Sequence, residues 1–288
     1  MRNSLRPKLG IDSFTYHRHF GEVGEWEEPL PTRWSTVDFL DRAAELGVDA
    51  VSLQTVFLED LSIGGMRALR EEVATRGLSS VLAWGHRSGL ESGTSPARFE
   101  EAMICLDLAA VMGVRLVRIV CGDQLAWSTP PEHRKDRLVP LLSRLAWRAR
   151  QLDLELAIEN HADLAMVDLV DLVSSVEAPN LGICFDLGNA VRVGDDPVEA
   201  AALAGPLVQM VHVKDLAVQE DSVGQPSSWW PSVPLGRGDI DLAAALETTR
   251  GSTPSAGWFV EMGNMHPDHT DEDTAVVESL EFLRALVP

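Results

Sequence analysis

Short apolar runs alternate with longer amphipathic segments along this chain. Eight runs have the length and the nearly continuous apolar character of buried strands. They are residues 9–14, 49–54, 79–84, 115–122, 155–160, 181–186, 208–213 and 257–262. The segments between them place apolar residues at positions i, i+3 and i+4, which predicts helices, for example at 35–47, 96–113 and 133–152. Gly47, Gly77 and Gly113 are expected where three of these helices end.

Strands that are apolar on both faces are typical of a parallel sheet covered by helices. Eight strand-helix repeats predict an α/β fold, a closed (β/α)8 TIM barrel, with an open doubly wound sheet as the alternative. Such barrels form one domain, so we expect a single domain over residues 1–288. Long strand-to-helix loops are expected at about 15–34 and 217–239, on the face where barrels build their sites. Their tryptophans and prolines favour ordered lids.

Four successive runs in the second half each end near a side chain that can bind a metal ion. These side chains are Glu159, Asp186, His212 and Glu261. The carboxyl ends of consecutive barrel strands meet around one mouth, and a buried carboxylate without a partner costs several kcal/mol or more. We therefore expect the four to share one divalent cation. Three carboxylates and one imidazole suit Mn²⁺ foremost, with Mg²⁺, Co²⁺ or Zn²⁺ as alternatives.

Further candidates for substrate contact follow from strand alternation and loop position. His161 has the parity of Glu159, Lys214 has the parity of His212, and Asn189 follows Asp186 in a turn. The loops after strands 1 and 3 add Tyr16, His17, Trp84 and His86 as pocket-lining residues. For each of these, a structural or surface role is the alternative. Arg118 is expected to pair with a barrel carboxylate, with contact to a substrate oxygen as the alternative. Asp239 is expected to cap the helix that follows it.

These motifs resemble those of the xylose-isomerase-like sugar isomerases and epimerases. That family includes ketose 3-epimerases, hydroxypyruvate isomerase, and inosose isomerases and dehydratases, and the resemblance covers nearly the whole chain. It rests on IENH with Glu159, FDLGN with Asp186 and Asn189, HVKD with His212, LGRGDID, and FVEMG with Glu261. The resemblance implies that the four matching residues bind one divalent metal and that Glu159 and Glu261 are catalytic acid/base groups.

The expected function is isomerisation or epimerisation of a small keto-sugar or related polyol. A divalent metal stabilises the enediolate that forms when a proton next to a carbonyl leaves, and a carboxylate can take that proton. A lyase on the same scaffold is the alternative, either an inosose-type dehydratase or a decarboxylase of an oxo sugar acid. An apurinic-site nuclease of the endonuclease IV type is a remote alternative, because Asn189 stands where that family has a histidine ligand. The last alternative is a barrel that binds a sugar or a partner without catalysing a reaction.

Composition limits the kinds of partner that we expect the protein to bind. The formal charge of −20 disfavours nucleic acid as a partner. The family resemblance implies a small sugar or sugar acid as the ligand. No membrane association is expected, since no apolar run approaches the length that spans a bilayer and the first residues lack a signal-like apolar region. Cys105, Cys121 and Cys184 are expected to be reduced, buried thiols, which favours the cytoplasm. A homo-oligomer is compatible with the sequence, which fixes neither the oligomeric state nor phosphorylation of the substrate.

Overall fold

Eight parallel strands form a closed barrel in the computed structural model, which describes residues 6–24, 27–225, 228, 230–250 and 254–287. The strands are β1 Leu9–Asp12, β2 Ala50–Gln54, β3 Ser79–Ala83, β4 Leu116–Val120, β5 Glu155–Glu159, β6 Leu181–Asp186, β7 Val208–Val213 and β8 Gly257–Val260. Each strand pairs with the next in chain order, and β8 closes the barrel onto β1. The closure confirms the predicted TIM barrel and excludes the open sheet.

Helices between the strands cover the barrel. They are α1 His17–Phe20, α2 Thr36–Glu45, α3 Ile63–Thr75, α4 Pro96–Met112, α5 Pro131–Gln151, α6 Met166–Val176, α7 Leu187–Val193, α8 Pro197–Ala204, α9 Leu242–Arg250 and α10 Glu272–Leu286. Gly47, Gly77 and Gly113 follow α2, α3 and α4 with left-handed φ values of 66°, 69° and 76°, as predicted. Within the described residues, no helix combines the length and the apolar character that crossing a membrane requires.

Seven strands fill the inside of the barrel with one apolar cluster. Its buried members are Ala50, Val81, Leu116, Ala157, Cys184, Met210 and Phe259. Strand β1 contributes Gly10 at this level, where an added Cβ would lie 2.5 Å from the Phe259 ring. Glycine therefore leaves the space that the aromatic ring occupies. The three cysteines are free and buried, as expected from their apolar surroundings.

The loop after β1 is fixed to the body of the barrel. The buried guanidinium of Arg18 pairs with Glu272 at the start of α10 and donates to the main-chain oxygen of Glu28 at 2.9 Å. In the same loop, His17 Nε2 lies 2.6 Å from Glu27 Oε2, and both side chains are buried. The loop is therefore ordered around these polar contacts in the part of 15–34 that the structure describes.

The loop after β7 is organised by Asp215. This buried carboxylate accepts hydrogen bonds from the main-chain N–H groups of Gly236 and Gly238, both at 2.9 Å. The two-residue strands Asp215–Leu216 and Ser232–Val233 pair antiparallel beside it. The aspartate of HVKD and the glycines of LGRGDID thus form one structural unit, which explains why the two motifs occur together.

Two details of this loop differ from the sequence-based expectations or lie outside the structure. Asp239 does not cap α9: its carboxylate accepts from the N–H of Val218 at 2.8 Å, across the loop. Asp241 takes the capping position instead and accepts from the N–H of Ala244 at 3.0 Å. Trp230 is buried, whereas Trp229 lies outside the described residues.

Candidate metal centre

The structure brings Glu159, Asp186, His212 and Glu261 together at the carboxyl ends of β5 to β8. All four are buried, and one potential ligand atom from each lies within 4.8 Å of the others. The Nδ1 atom of His212 is 3.6 Å from Glu159 Oε2, 3.9 Å from Asp186 Oδ2 and 3.5 Å from Glu261 Oε1. Strand pairing produces this convergence, because Asp186 and His212 are partners in the register of β6 and β7.

The donor atoms of this cluster fit one divalent cation. His212 Nδ1 is buried and has no hydrogen-bond partner among the described residues. A buried polar atom without a partner is costly, and this one faces oxygens of Glu159, Asp186 and Glu261 at 3.5–3.9 Å. Cys184 lies within reach of Glu159 and His212 as well, but burial raises the pKa of its thiol to about 11, which disfavours the thiolate as a ligand. The carboxylates and the imidazole are the better ligand set.

Asp12, at the end of β1, extends the site in a way that the sequence analysis missed. It is fully buried and accepts hydrogen bonds from Ser52 Oγ at 2.5 Å and Gln54 Nε2 at 3.0 Å. Its Oδ2 lies 3.6 Å from Nε2 of His212, the ring nitrogen that faces away from the other carboxylates. The negative charge of a carboxylate in this place favours the tautomer with the proton on Nε2, which leaves Nδ1 free to bind a metal. The available signal was an acid at a strand end, LGID, as in three of the four other runs.

A buried arginine, a partly buried lysine and one amide fix the glutamates. Arg118, from β4, places Nε 3.1 Å from Glu159 Oε2, which is the ion pair expected of it. Asn189 Nδ2 donates to Glu159 Oε1 at 3.2 Å. Lys214 Nζ lies 2.9 Å from Asp186 Oδ2 and 2.6 Å from Glu261 Oε2. Each glutamate therefore has a cationic neighbour.

The formal charges of this cluster call for a divalent ion. Four carboxylates, including Asp12, face two cations, Arg118 and Lys214, which leaves two uncompensated negative charges when His212 is neutral. One divalent cation would balance them. A buried excess of charge is unfavourable, so the site without metal should take up protons.

The pKa values of the cluster follow that expectation. Burial raises the pKa of Asp186 to about 6, although Lys214 opposes the shift. Burial alone would lower the pKa of His212, but Cys184, Glu261 and Glu159 raise it well above its usual value. Burial would also raise the pKa of Glu261, yet Lys214 and His212 outweigh it and lower that pKa to about 2. The glutamate stays ionised, while the imidazole holds the proton that a metal would displace.

Three other candidates lie around this mouth. His161 is partly buried, with Nδ1 3.3 Å from the main-chain oxygen of Gly122, and burial lowers its pKa. Trp84, at the end of β3, is buried and stacks on His86 at a ring distance of 5.8 Å. The Nδ1 atom of His86 is buried and has no hydrogen-bond partner among the described residues. Substrate contact by these three remains a prediction.

The pocket-lining role expected of Tyr16 and His17 stays a prediction, and the contacts of both side chains are with other parts of the protein. Tyr16 is fully buried; its hydroxyl donates to Asp273 of α10 at 2.9 Å, and its ring packs on Trp34. Both nitrogens of His17 are occupied, Nε2 by Glu27 and Nδ1 by the main-chain oxygen of Phe14 at 2.8 Å. These contacts stabilise the loop against α10.

A cleft at the opposite end of the barrel is not the site of the carboxylate cluster. It has a volume of about 330 Å³ and is lined among others by Lys8, Arg70 and Phe259, at the amino ends of the strands. The apolar cluster inside the barrel, to which Phe259 belongs, fills the space between the two ends. The carboxylate cluster lies at the other end of the barrel, at the carboxyl ends of the strands.

Comparison with known proteins agrees with this geometry. The family model of the xylose isomerase-like TIM barrel matches residues 40–286. The chain belongs to this family. The resemblance inferred from the sequence motifs is thereby confirmed.

Individual relatives carry different activities. The chain is 26% identical over 235 residues to the 3-oxo-isoapionate decarboxylase of Pectobacterium atrosepticum, covering 81% of this chain and 79% of that protein. Among solved structures, the IolI protein with a bound zinc atom is 18% identical, with a TM-score of 0.77 and 97% and 98% of the two chains covered. A D-psicose 3-epimerase in the presence of D-fructose is 17% identical, with a TM-score of 0.72 and 97% and 99% covered. At these identities the structural matches show a shared fold.

Proposed function

We propose that the protein is a divalent-metal-dependent enzyme that forms an enediolate from a small sugar-derived ketone, as an isomerase or epimerase. The observation that carries the proposal is the unpaired Nδ1 of His212 among three buried carboxylates. A divalent cation bound there would polarise the ketone oxygen and balance the negative charge of the enediolate. Family membership and the similarity to a D-psicose 3-epimerase support the proposal.

Glu159 and Glu261 are the proposed acid and base. Arg118 and Lys214 keep the two carboxylates ionised, and Asn189 fixes the orientation of Glu159. An ionised carboxylate held next to the bound ketone can remove the proton on the neighbouring carbon. A proton delivered to the opposite face by the other glutamate inverts the carbon, and a proton delivered to the former carbonyl carbon isomerises the sugar.

His161, His86 and Trp84 are the proposed residues that orient the substrate. His161 is neutral near pH 7 because burial lowers its pKa, so its imidazole can both accept and donate hydrogen bonds to hydroxyls. The stacked rings of Trp84 and His86 offer an apolar wall beside a free polar atom. A sugar has matching groups, because its C–H faces can pack on the apolar rings and its hydroxyls can bond to the polar atom.

A lyase is the second candidate, and two observations favour it. The 26% identical relative is a decarboxylase, and Lys214 adds a cation directly beside the carboxylate cluster. In decarboxylation of a 3-oxo acid, the bond between the carboxylate and C2 breaks and its electron pair enters the enolate, while CO₂ leaves. A proton then adds to C2. No base is needed to remove a C–H proton, and polarisation of the ketone is again the main requirement. Loss of hydroxide from the same kind of intermediate would make a dehydratase.

Isotope exchange tests the proposal. The protein is stripped with chelator, reloaded separately with Mn²⁺, Mg²⁺, Co²⁺ or Zn²⁺, and incubated in D₂O with keto-sugars, inososes and 3-oxo sugar acids under NMR detection. We expect metal-dependent deuterium incorporation next to a carbonyl, lost in Glu159→Gln and Glu261→Gln. Glu155→Gln, at the opposite end of β5, is the matched control. Deuterium incorporation with loss of CO₂ would select the lyase, and the absence of any metal-dependent exchange or product would refute both candidates.

A further inference from the structure

Lys214 is the charged side chain of the cluster that is most open to the mouth of the barrel. Its side chain is 13% exposed, against 5% or less for Arg118 and the four candidate metal ligands. An incoming substrate would therefore meet its ammonium group before the deeper charges. The ammonium group also lies beside two of the candidate metal ligands. A small molecule bound at the metal centre could therefore contact Lys214 with a second polar group.

The position of this lysine is built into the fold. Its aliphatic stem passes over Gly188 in the first turn of α7, where an added Cβ would lie 2.7 Å from Cδ and 2.9 Å from Cγ of Lys214. Glycine at 188 thus leaves the path along which the lysine reaches the cluster. Lysine is also rare here, with three in a chain that has 24 basic residues. An ammonium is a compact charge with three donors, suited to several oxygens at once.

The hydrogen bonds of Asp186 show what a metal would change at Lys214. Asp186 Oδ1 accepts from the N–H of Asn189 at 2.8 Å, as the cap of α7. Its other oxygen, Oδ2, is the one that Lys214 holds at 2.9 Å and that faces His212. A cation in the cluster would share Oδ2 with the ammonium and weaken that bond. Glu261 differs, because Oε1 faces His212 while Oε2 remains with Lys214 at 2.6 Å.

Metal binding to the cluster would therefore leave Lys214 with one close partner, Glu261. The other N–H groups of its ammonium could then donate hydrogen bonds to a substrate. A hydroxyl could accept a hydrogen bond from one of these donors. A carboxylate would accept a stronger one, because a hydrogen bond between an ammonium and a carboxylate is charge-assisted. An anionic substrate also needs a local cation, because the chain as a whole carries a formal charge of −20.

We propose that Lys214 binds a carboxylate of the substrate, so that the protein acts on a keto acid derived from a sugar in preference to a neutral keto-sugar. This inference rests on the proposed function and narrows its substrate class. It holds for an isomerase of keto acids and for a decarboxylase alike. Lys214 is then a specificity residue that contacts the substrate.

Calorimetric titration of the Mn²⁺-loaded protein tests this preference. The probes are D-fructose and two acids of the same carbon skeleton, 2-keto-D-gluconate and D-fructuronate, which carry the carboxylate at opposite ends. We expect the wild type to bind at least one acid tenfold or more tightly than D-fructose. Lys214→Met, which keeps the stem and removes the charge, should weaken binding of that acid at least tenfold and change the D-fructose affinity less than threefold.

Two further variants separate contact from general damage. Gly188→Ala removes no charge but displaces the Lys214 stem, and it should lower the preference for the acid while Mn²⁺ binding persists. Lys8→Met, at the other end of the barrel, should change nothing. A wild type without preference for either acid, or equal losses for acid and neutral sugar in Lys214→Met, would overturn the inference while Mn²⁺ binding left the metal centre intact. Failure of the wild type to bind Mn²⁺ would instead overturn the proposed function, and this inference with it.

Discussion

Replacement of Asp12 by asparagine should weaken metal binding although Asp12 is not one of the four candidate ligands. For Nδ1 of His212 to bind a cation, the ring proton must sit on Nε2, and the negative charge of Asp12, whose Oδ2 lies 3.6 Å away, favours a proton there. Asparagine has nearly the same shape but lacks that charge, and its amide N–H₂ can face the ring N–H and oppose it. Removal of a carboxylate behind a metal-binding histidine typically lowers metal affinity 10- to 100-fold. We expect a loss in that range, about 1.4–2.7 kcal/mol.

The same replacement should not lower the stability of the metal-free protein, although it weakens metal binding. Burial raises the pKa of Asp12 although His212 opposes the shift, so the ionised carboxylate costs folding free energy that asparagine does not, and the metal-free variant should be at least as stable as the wild type. The assays are Mn²⁺ calorimetry and thermal unfolding in excess chelator. Asp107→Asn, in a surface ion pair with Arg148, is the control and should change neither. An Mn²⁺ affinity within threefold of wild type would refute the positioning role of Asp12, and a destabilised metal-free variant would refute the cost of burying this carboxylate.

Three other expectations concern stability. Mn²⁺ at 100 times its dissociation constant should stabilise the fold by about 2.7 kcal/mol and raise the unfolding midpoint by about 5 °C, so an unchanged midpoint would argue against a site formed only in the folded state. Burial raises the pKa of Asp163 to about 6, above its unfolded value, so the contribution of this group to wild-type stability should fall as pH rises from about 4 to 6. Relative to wild type, Asp163→Asn should gain stability over that interval in urea unfolding, and a pH-independent difference would contradict the shift. Tyr16→Phe loses the hydrogen bond to Asp273 and should cost about 1–2 kcal/mol in unfolding free energy without changing ligand affinity; the reverse pattern would support a pocket role for Tyr16.

The strands and the convergence of the four candidate ligands could be anticipated for a common reason. A strand buried on both faces must be apolar along its length, so an acid or histidine near its end stands out, as Asp186 does after LGICF. In a parallel barrel the ends of consecutive strands are neighbours, so sequence order gives spatial order. The same rule applied to β1 would have found Asp12, which closure of the barrel places opposite His212.

Loop residues were harder to anticipate, because their partners come from distant parts of the chain. Tyr16 sits in an aromatic segment typical of a pocket wall, yet Asp273, 257 positions away, takes its hydroxyl. Asp239 has the composition of a helix cap, but the N–H of Val218 competes for its carboxylate, and Asp241 takes the cap two residues later. Local propensity sets which residues suit a turn or a cap, and tertiary contacts choose among them.

The number of Mn²⁺ ions bound per chain decides whether the carboxylate cluster is a metal centre. Chelator-stripped protein is titrated with Mn²⁺, and free Mn²⁺ is followed by electron paramagnetic resonance, for the wild type and for His212→Ala. We predict one tightly bound ion in the wild type and at least a 100-fold weaker affinity in the variant. No stoichiometric binding by the wild type, or equal binding by the variant, would contradict a metal centre built on His212 and its three carboxylates.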